Sequence, residues 1–275
     1  MQQDRRALKS RARELMSGST PAPWLVTLVF LLATSVLSSA AEWANPVARQ
    51  IMALSESFQS SYLQMDESTA VTVVMQMQEL AQKPAFFVTV LVSMLLTLYS
   101  IVVEYGYVSY SLDVVRGEES GVGELFSRFY MAGKIILAQI LMVVVIALWA
   151  LLFIIPGIIA AYRYRMVSYI LLDDPDCGVW EAFRRSKAMM QGRKMEYFML
   201  ELSFIVLIFG ANLLTNLAGN FAGTGMTANI AALAVSTLCS LYLLPYMHLT
   251  FAQWYEAVRT GGGAQQQVID ADSFS

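Results

Sequence analysis

The sequence is poor in the side chains that build metal sites and hydrolytic active sites. It has a single histidine, His248, which excludes a zinc site made of paired histidines. Its two cysteines, Cys177 and Cys239, are predicted to lie in a cytoplasmic loop and in a membrane span, so neither a disulfide nor a shared metal ion is expected. The nucleophile-elbow, Walker A and H-E-x-x-H motifs are absent. The sequence therefore predicts no metal, no cofactor and no enzymatic activity.

Charged residues are also scarce. They make up 14% of the chain, against 57% hydrophobic residues. This apolar surplus exceeds what the core of one soluble domain of 275 residues can hold. The net charge is −3, and no soluble part of the chain has the concentrated basic face that binding to phosphate backbones requires. The composition thus predicts the lipid bilayer as a partner and argues against nucleic acid.

Several apolar runs approach or exceed the length of about 20 residues that a helix needs to cross a bilayer. The predicted spans are 24–41, 84–103, 135–155, 197–217 and 229–246. A sixth run, 158–172, is short and contains Arg163 and Arg165, so hydropathy alone does not decide whether it crosses.

The positions of lysine and arginine predict the orientation. Five basic residues precede the first span, and five more lie in the segment 173–196. Because cytoplasmic segments of membrane proteins are enriched in basic residues, both segments are predicted to be cytoplasmic. The connections 42–83 and 218–228 are poor in basic residues and are predicted to face outward. Both termini are then cytoplasmic.

This orientation bears on the sixth run. The segments 104–134 and 173–196 can share the cytoplasmic side only if an even number of crossings separates them. The runs between them are therefore predicted to form a hairpin that turns at Pro156 and Gly157, where proline ends one helix and glycine permits the reversal. The alternative is a single helix kinked at Pro156, which gives five spans and places 173–196 outside.

An internal repeat supports the hairpin. The tripeptide 108–110 recurs 59 residues later as 167–169, and the segment 121–126 recurs 57 residues later as 178–183. Chance similarity within apolar sequence is the alternative explanation. Repeats are common in membrane proteins. Three helical hairpins that each return the chain to the cytoplasm would explain both repeated segments.

The predicted fold is therefore all-α. It is a polytopic transmembrane helix bundle of six spans in three hairpins, with short amphipathic helices on the cytoplasmic side before residue 24 and on the outer face within 42–83. Residues 1–259 are predicted to form a single integral membrane domain, and 260–275 a disordered tail.

Arg163 and Arg165 are the clearest candidates for a functional site. An arginine within a membrane helix costs about 2.5–3.5 kcal/mol on insertion scales, so it usually has a partner or faces water. The predicted partners are Glu104 and Glu201, and further polar residues on a single helix face are Asn212 and Asn216. Two interpretations stay open: an ion-pair clamp between hairpins, or a polar cavity for an anion or a lipid headgroup.

A second polar motif lies in the predicted cytoplasmic segment. Its residues are Arg184, Arg185, Ser186, Lys187 and Gly192. Basic side chains next to a membrane suit anionic lipid headgroups. The general enrichment of basic residues in cytoplasmic segments explains them equally well.

The region around the Pro-Gly pair carries the features of a known family. These are IIPGIIAAYRYRMVSYIL, the acidic turn that follows it, EAFRRSKAMMQGRK and FMLELSF. With RRALKSRAREL near the start and the late FAQWYEA, they resemble the bacterial integral-membrane family known as domain of unknown function 975. A more distant likeness is to membrane domains attached to some glycerophosphodiester phosphodiesterases, whose catalytic domain this chain lacks. The resemblance implies a multi-pass helical fold and no established activity.

We therefore expect a non-enzymatic accessory or scaffold protein of the bacterial cytoplasmic membrane. Its protein partner, or a second copy in a homo-oligomer, stays open. The alternative is a small transporter or channel for an anion or an amphiphile, with the two arginines as ligands. An enzyme that acts on lipids is the least favoured class.

Overall fold

A computed structural model describes residues 5–61, 67–223 and 225–273 of the chain. Over these residues the regular structure is helical throughout, which confirms the all-α class. The chain divides into two compact units, one of Met1–Val29 with Val102–Ser275 and one of Phe30–Ile101. The single membrane domain over 1–259 stays a prediction.

The helices are numbered in chain order, and a short 3-10 helix, Arg128–Met131, precedes α7. Their bounds are α1 Arg5–Gly18, α2 Pro23–Ala44, α3 Pro46–Ser61, α4 Glu67–Gln82, α5 Pro84–Arg116, α6 Glu124–Ser127, α7 Ala132–Leu152, α8 Ile154–Arg163, α9 Val167–Asp173, α10 Val179–Met189, α11 Lys194–Phe221 and α12 Met226–Ser273.

Within the described residues, five helical segments are long and apolar enough to cross a membrane. They are Pro23–Ala41, Pro84–Arg116, Glu124–Leu152, Lys194–Phe221 and Met226–Gly261. Each contains most or all of one of the five long predicted spans. The backbone of α12 also continues through 260–273, where the sequence predicts a disordered tail. The alanine and glutamines that follow the glycines there are good helix formers.

The sixth predicted span, 158–172, is two short helices. A turn at residues 164–166 separates α8 from α9, and their lengths of about 15 Å and about 10 Å are each too short to cross a bilayer. The break between α7 and α8 also lies earlier than predicted, at Phe153, which has an extended backbone. Pro156 falls in the first turn of α8, where its missing N–H leaves no helical hydrogen bond unmade.

Gly157 allows α8 to pack closely on α7. A Cβ at this position would lie 2.8 Å from the Cα of Ala150, so any larger residue would push the two helices apart. Pro156 and Gly157 therefore do not form the turn itself. Glycine here serves the contact between the two helices.

The buried side chains of the larger unit are concentrated at one end of its helices. The largest fully buried residues are aromatic and include Trp254, Tyr107, Tyr110, Tyr197, Tyr246, Tyr255 and Phe204. The other parts of α7, α11 and α12 expose large apolar side chains, for example Leu151, Phe209 and Leu238, which are 83%, 72% and 67% exposed. The unit thus has an aromatic core at one end and apolar helix surfaces suited to lipid beyond it.

Helix α1 packs on α12 through its apolar face. Leu8 and Ala12 are buried, and the side-chain amide of Gln253 bonds the carbonyl of Leu8 and the N–H of Ala12, both at 3.1 Å. The Lys9 ammonium lies 4.3 Å from the centre of the Phe204 ring, a cation–π contact. Burial, followed by the charges of nearby arginines, lowers the pKa of Lys9. The apolar face of α1 is therefore in contact with protein.

The smaller unit contains α3 and α4, where the sequence predicts two helices between the first two spans. Asn45 caps α3, because its side-chain oxygen accepts from the Val47 N–H at 2.9 Å. Pro46 then occupies the first helical position, where its fixed φ is favourable. The location of these helices on the outer face stays a prediction.

Candidate functional site

The break between α8 and α9 is held by Ser186 of α10. The Ser186 hydroxyl donates to the carbonyl of Arg163 at 2.9 Å and accepts from the Met166 N–H at 3.2 Å. Ser186 is fully buried, and its two bonds satisfy backbone groups that the break in the helix leaves without helical partners. The sequence places Ser186 in a basic motif for lipid phosphates, but its hydroxyl fixes the turn that contains Arg165.

Arg165 forms an ion pair with Glu201 of α11. Its Nη2 lies 3.2 Å from Glu201 Oε1, and its Nε donates to the Tyr197 hydroxyl at 3.4 Å. The Tyr162 hydroxyl donates to the other oxygen of Glu201 at 2.6 Å. The four side chains connect α8 and the turn after it to α11. Of the two predicted carboxylate partners, Glu201 is therefore the one in contact.

Glu104 shares a cavity with Arg165 but does not touch it. The cavity has a volume of about 230 Å³ and lies among α5, α7, α9, α11 and α12. Among the described residues, Glu104 makes no ion pair or side-chain hydrogen bond. Much of the cavity wall is formed by polar, charged or aromatic side chains. These are Glu104, Tyr105, Gln139, Arg165, Ser168, Tyr169, Tyr197, His248 and Phe251.

Two buried polar atoms of the cavity residues have no partner in the described part of the chain. They are the hydroxyl of Tyr105, a residue only 4% exposed, and Nδ1 of His248. The His248 ring packs edge-on against Tyr107, with 4.7 Å between ring centres. The single histidine of the chain thus lines this cavity.

The other predicted site residues lie elsewhere. The Arg163 side chain has no ion-pair partner among the described residues, and only its carbonyl takes part, as the acceptor for Ser186. Asn212 and Asn216 lie about 16 Å and about 22 Å along α11 from Glu201. Both are exposed, and their amide nitrogens donate to carbonyls of their own helix at 2.9 and 2.8 Å. The cavity therefore does not include them.

The rest of the basic motif is exposed. Arg185 pairs with Asp174 at 2.8 Å and with Glu181 at 3.0 Å, and its hydrogen bond holds the pKa of Asp174 below its usual range. Arg184 also contacts Glu181, at 3.3 Å. Gly192 has a φ of +74°, the left-handed region that favours glycine, and it precedes α11.

The internal repeat has a structural counterpart in this motif. Glu124 and Arg128 form an ion pair at 2.8 Å, and Glu181 and Arg185 form the corresponding pair at 3.0 Å. Both pairs are four residues apart, and both are displaced by the 57 residues that separate the repeated segments. The two short helices thus share an internal contact as well as a sequence pattern.

A second charged cluster, which the sequence analysis missed, joins three helices. Arg116 at the end of α5 donates to Glu256 at 2.7 Å and to Asp173 at 2.5 Å. Arg259 pairs with Glu256 at 2.9 Å, and the Tyr255 hydroxyl donates to Asp173 at 3.1 Å. These residues form the Arg116 cluster, which connects α5, α9 and α12. Tyr255, Glu256 and Arg259, which follow the last predicted span, were the available sequence signal.

In the described part of the chain, no three histidine, cysteine or acidic side chains lie close enough together to hold a metal ion. Arg165, Glu201 and the charged groups of the Arg116 cluster instead bond to one another and to tyrosines. The chemistry shown by these groups is that of ion pairing.

Comparison with known proteins assigns the chain to a family. No curated protein and no solved structure matches it significantly. The likeness to membrane domains of glycerophosphodiester phosphodiesterases accordingly stays a prediction. A family model described as Protein of unknown function (DUF975) matches residues 1–261, which cover the smaller unit completely and most of the larger one. The chain therefore belongs to the DUF975 family.

Proposed function

We propose that the protein is a non-enzymatic accessory or scaffold protein of the bacterial cytoplasmic membrane. The observation that carries this proposal is the ion pair between Arg165 and Glu201. In this ion pair, the guanidinium of an arginine flanked by apolar sequence connects the turn after α8 to α11. The Arg116 cluster connects three more helices in the same way. Charges used in this manner favour a rigid support for other membrane components.

We further propose six crossings, with both termini in the cytoplasm. The close approach of Gly157 to Ala150 means that α8 returns along α7. Residues 154–173 together provide about 30 Å of helical rise, enough for one crossing interrupted at Arg165. Broken helices of this kind occur in membrane proteins where protein side chains satisfy the freed backbone groups, as Ser186 does here.

Reporter fusions distinguish six crossings from five. A green fluorescent protein attached after Asp176 or after Arg259 is expected to fluoresce, and alkaline phosphatase at either position to be inactive, because both positions are then cytoplasmic. Fusion after Glu119 is the control, since this position is cytoplasmic with either number of crossings. Active phosphatase after both Asp176 and Arg259 would establish five crossings and contradict the proposed arrangement.

The surface that suits a scaffold role is the face of α11 with Asn212 and Asn216. Both amides are exposed, and within the described residues neither side-chain oxygen accepts a hydrogen bond. An unsatisfied polar group facing hydrocarbon is unfavourable, and hydrogen bonds between transmembrane helices contribute about 0.6–2 kcal/mol each. We therefore propose that this face binds a transmembrane helix that carries hydrogen-bond donors.

Photo-cross-linking in native membranes tests this proposal. A photoreactive residue in place of Asn212 or Asn216 is expected to give discrete protein adducts. Leu214 is the matched control, because it is 57% exposed and lies on the opposite face of the same helix. We expect it to give lipid adducts alone. An adduct of twice the chain mass identifies the partner as a second copy, whereas the absence of protein adducts at both asparagines rules out a partner on this face.

A transporter is the second candidate, and the cavity at Arg165 favours it. A free anion is a poor substrate there, because Arg165 is already paired with Glu201 and the cavity contains a second carboxylate, Glu104. An amphiphile with a cationic or zwitterionic headgroup fits these charges better. Uptake of such a compound by proteoliposomes would separate transport from a static role.

A further inference from the structure

The cavity of Arg165 and Glu104 lies at the level where the bundle changes from aromatic core to apolar helix surface. In α7, the buried Ala138 precedes the lining residue Gln139, and the exposed Val143 follows the lining residue Met142. In α11 the buried side chains continue beyond the lining residue Tyr197 to Phe204, and in α12 they begin at Tyr246, just before the lining residue His248. The cavity thus lies on the aromatic side of this boundary. Since the apolar surfaces suit lipid chains, this level corresponds to the headgroup region of a bilayer.

The charges of the cavity select for a ligand with an ammonium group. Glu201 compensates Arg165. Glu104 forms no ion pair among the described residues, although it feels the charge of Arg165 across the cavity. With Glu104 and Glu201 around one guanidinium, the site has one carboxylate more than it has cations. An ammonium beside Glu104 would compensate it. Tyr169, Tyr197 and Phe251 also line the cavity, and aromatic rings attract cations.

Arg165 can also bind an anionic group of the same ligand. Its described hydrogen bonds use Nε and Nη2, which leaves the N–H groups of Nη1 for a phosphate. Arginine is suited to this role because its guanidinium presents several donors in one plane. A ligand with an ammonium and a phosphate therefore matches both charges of the cavity.

Two further features suit a small polar ligand in the cavity. The hydroxyl of Tyr105 and Nδ1 of His248 are buried without partners in the described chain, and a polar ligand would supply them. The volume of about 230 Å³ is below the roughly 300–1,000 Å³ of sites for drug-sized molecules, so it suits a small headgroup.

We propose that this cavity binds a phosphoethanolamine group, with its ammonium at Glu104 and its phosphate at Arg165. The group is either the headgroup of a phospholipid or a free zwitterion. Its binding does not depend on the scaffold role or on the face of α11, which lies farther along that helix.

Titration calorimetry of the purified full chain in detergent tests the site. The probes are dihexanoyl-phosphatidylethanolamine, dihexanoyl-phosphatidylglycerol and free phosphoethanolamine. We expect the first lipid to bind more tightly than the second, which lacks the ammonium. The substitution Glu104→Gln is expected to weaken binding of the first lipid at least about tenfold, which corresponds to about 1.4 kcal/mol. It should not weaken binding of the second lipid, because removing a carboxylate reduces the repulsion of an anionic headgroup.

Two further variants make the result decisive. Glu119→Gln removes an exposed carboxylate away from this cavity and should change nothing. Ser168→Leu narrows the cavity without altering its charge, and it should weaken binding even if Glu104→Gln fails to fold. Equal affinities for phosphatidylethanolamine and free phosphoethanolamine would support the site with a soluble ligand, and tighter binding of the lipid would support it with a membrane ligand. No preference for the amine, or full binding by Ser168→Leu, would overturn the proposal.

Discussion

The substitution Gly106→Ala is expected to abolish accumulation of folded protein or to destabilise it by about 3 kcal/mol or more. An added Cβ would lie 2.2 Å from the carbonyl oxygen of Leu125 and 2.8 Å from its Cα. These are backbone atoms, and Leu125 is fully buried, so α6 has no room to move aside. The yield of monodisperse protein in size-exclusion chromatography and its unfolding temperature measure the effect.

Gly133→Ala is the matched control. Gly133 lies in α7, and an added Cβ there meets no atom within 4 Å. Alanine should be neutral or slightly stabilising, since glycine within a helix costs about 0.5–1 kcal/mol relative to alanine. Equal yields and unfolding temperatures for the two variants would mean that α5 and α6 do not pack as closely as described.

Arg116→Met is expected to lower stability by about 3 kcal/mol. The Asp173 and Glu256 side chains are 18% and 14% exposed, so removing the guanidinium leaves two mostly buried carboxylates with Arg259 as their remaining cation in the cluster. Loss of one partner from a buried ion pair typically costs about 3–5 kcal/mol, and partial exposure places this case at the lower end. Thermal unfolding of the purified protein in detergent gives the measurement.

A triple variant separates the charge effect from lost packing. Arg116→Met combined with Asp173→Asn and Glu256→Gln removes the uncompensated carboxylates, so it should recover part of the stability that Arg116→Met loses. Arg116→Lys keeps the positive charge but lacks a planar guanidinium that can bond both carboxylates. Its stability should lie between that of the native protein and that of Arg116→Met. An unchanged unfolding temperature for Arg116→Met would show that the cluster does not hold the helices together.

The membrane helices could be predicted because their cause lies within each segment. A continuous apolar run of sufficient length is enough to predict a membrane helix. Five of the six predicted spans correspond to long helices. The sixth could not be predicted in this way. Its break depends on the Ser186 hydroxyl, which lies 20 residues beyond Met166 in the chain, and no local pattern encodes such a contact.

The candidate site shows the same limit. Arg165 and Glu201 stand out in the sequence because ionisable groups are rare in apolar surroundings. Arg116, Asp173 and Glu256 lie at polar ends of helices, where charges are ordinary, so their cluster becomes visible only when the chain is folded. Asn212 and Asn216 share a helix with Glu201. Two asparagines four residues apart predict a common polar face, but they do not predict how far that face lies from the cavity.

The Ser186 bridge also bears on the order in which this protein acquires its structure. The chain is synthesised from its amino terminus, so Arg163 and Met166 exist before α10 does. The two hydrogen bonds that define the turn at Arg165 can form only after Ser186 has been made and α10 has docked. The surroundings of Arg165, and with them the cavity, are therefore completed late in biogenesis, after the preceding helices have left the ribosome.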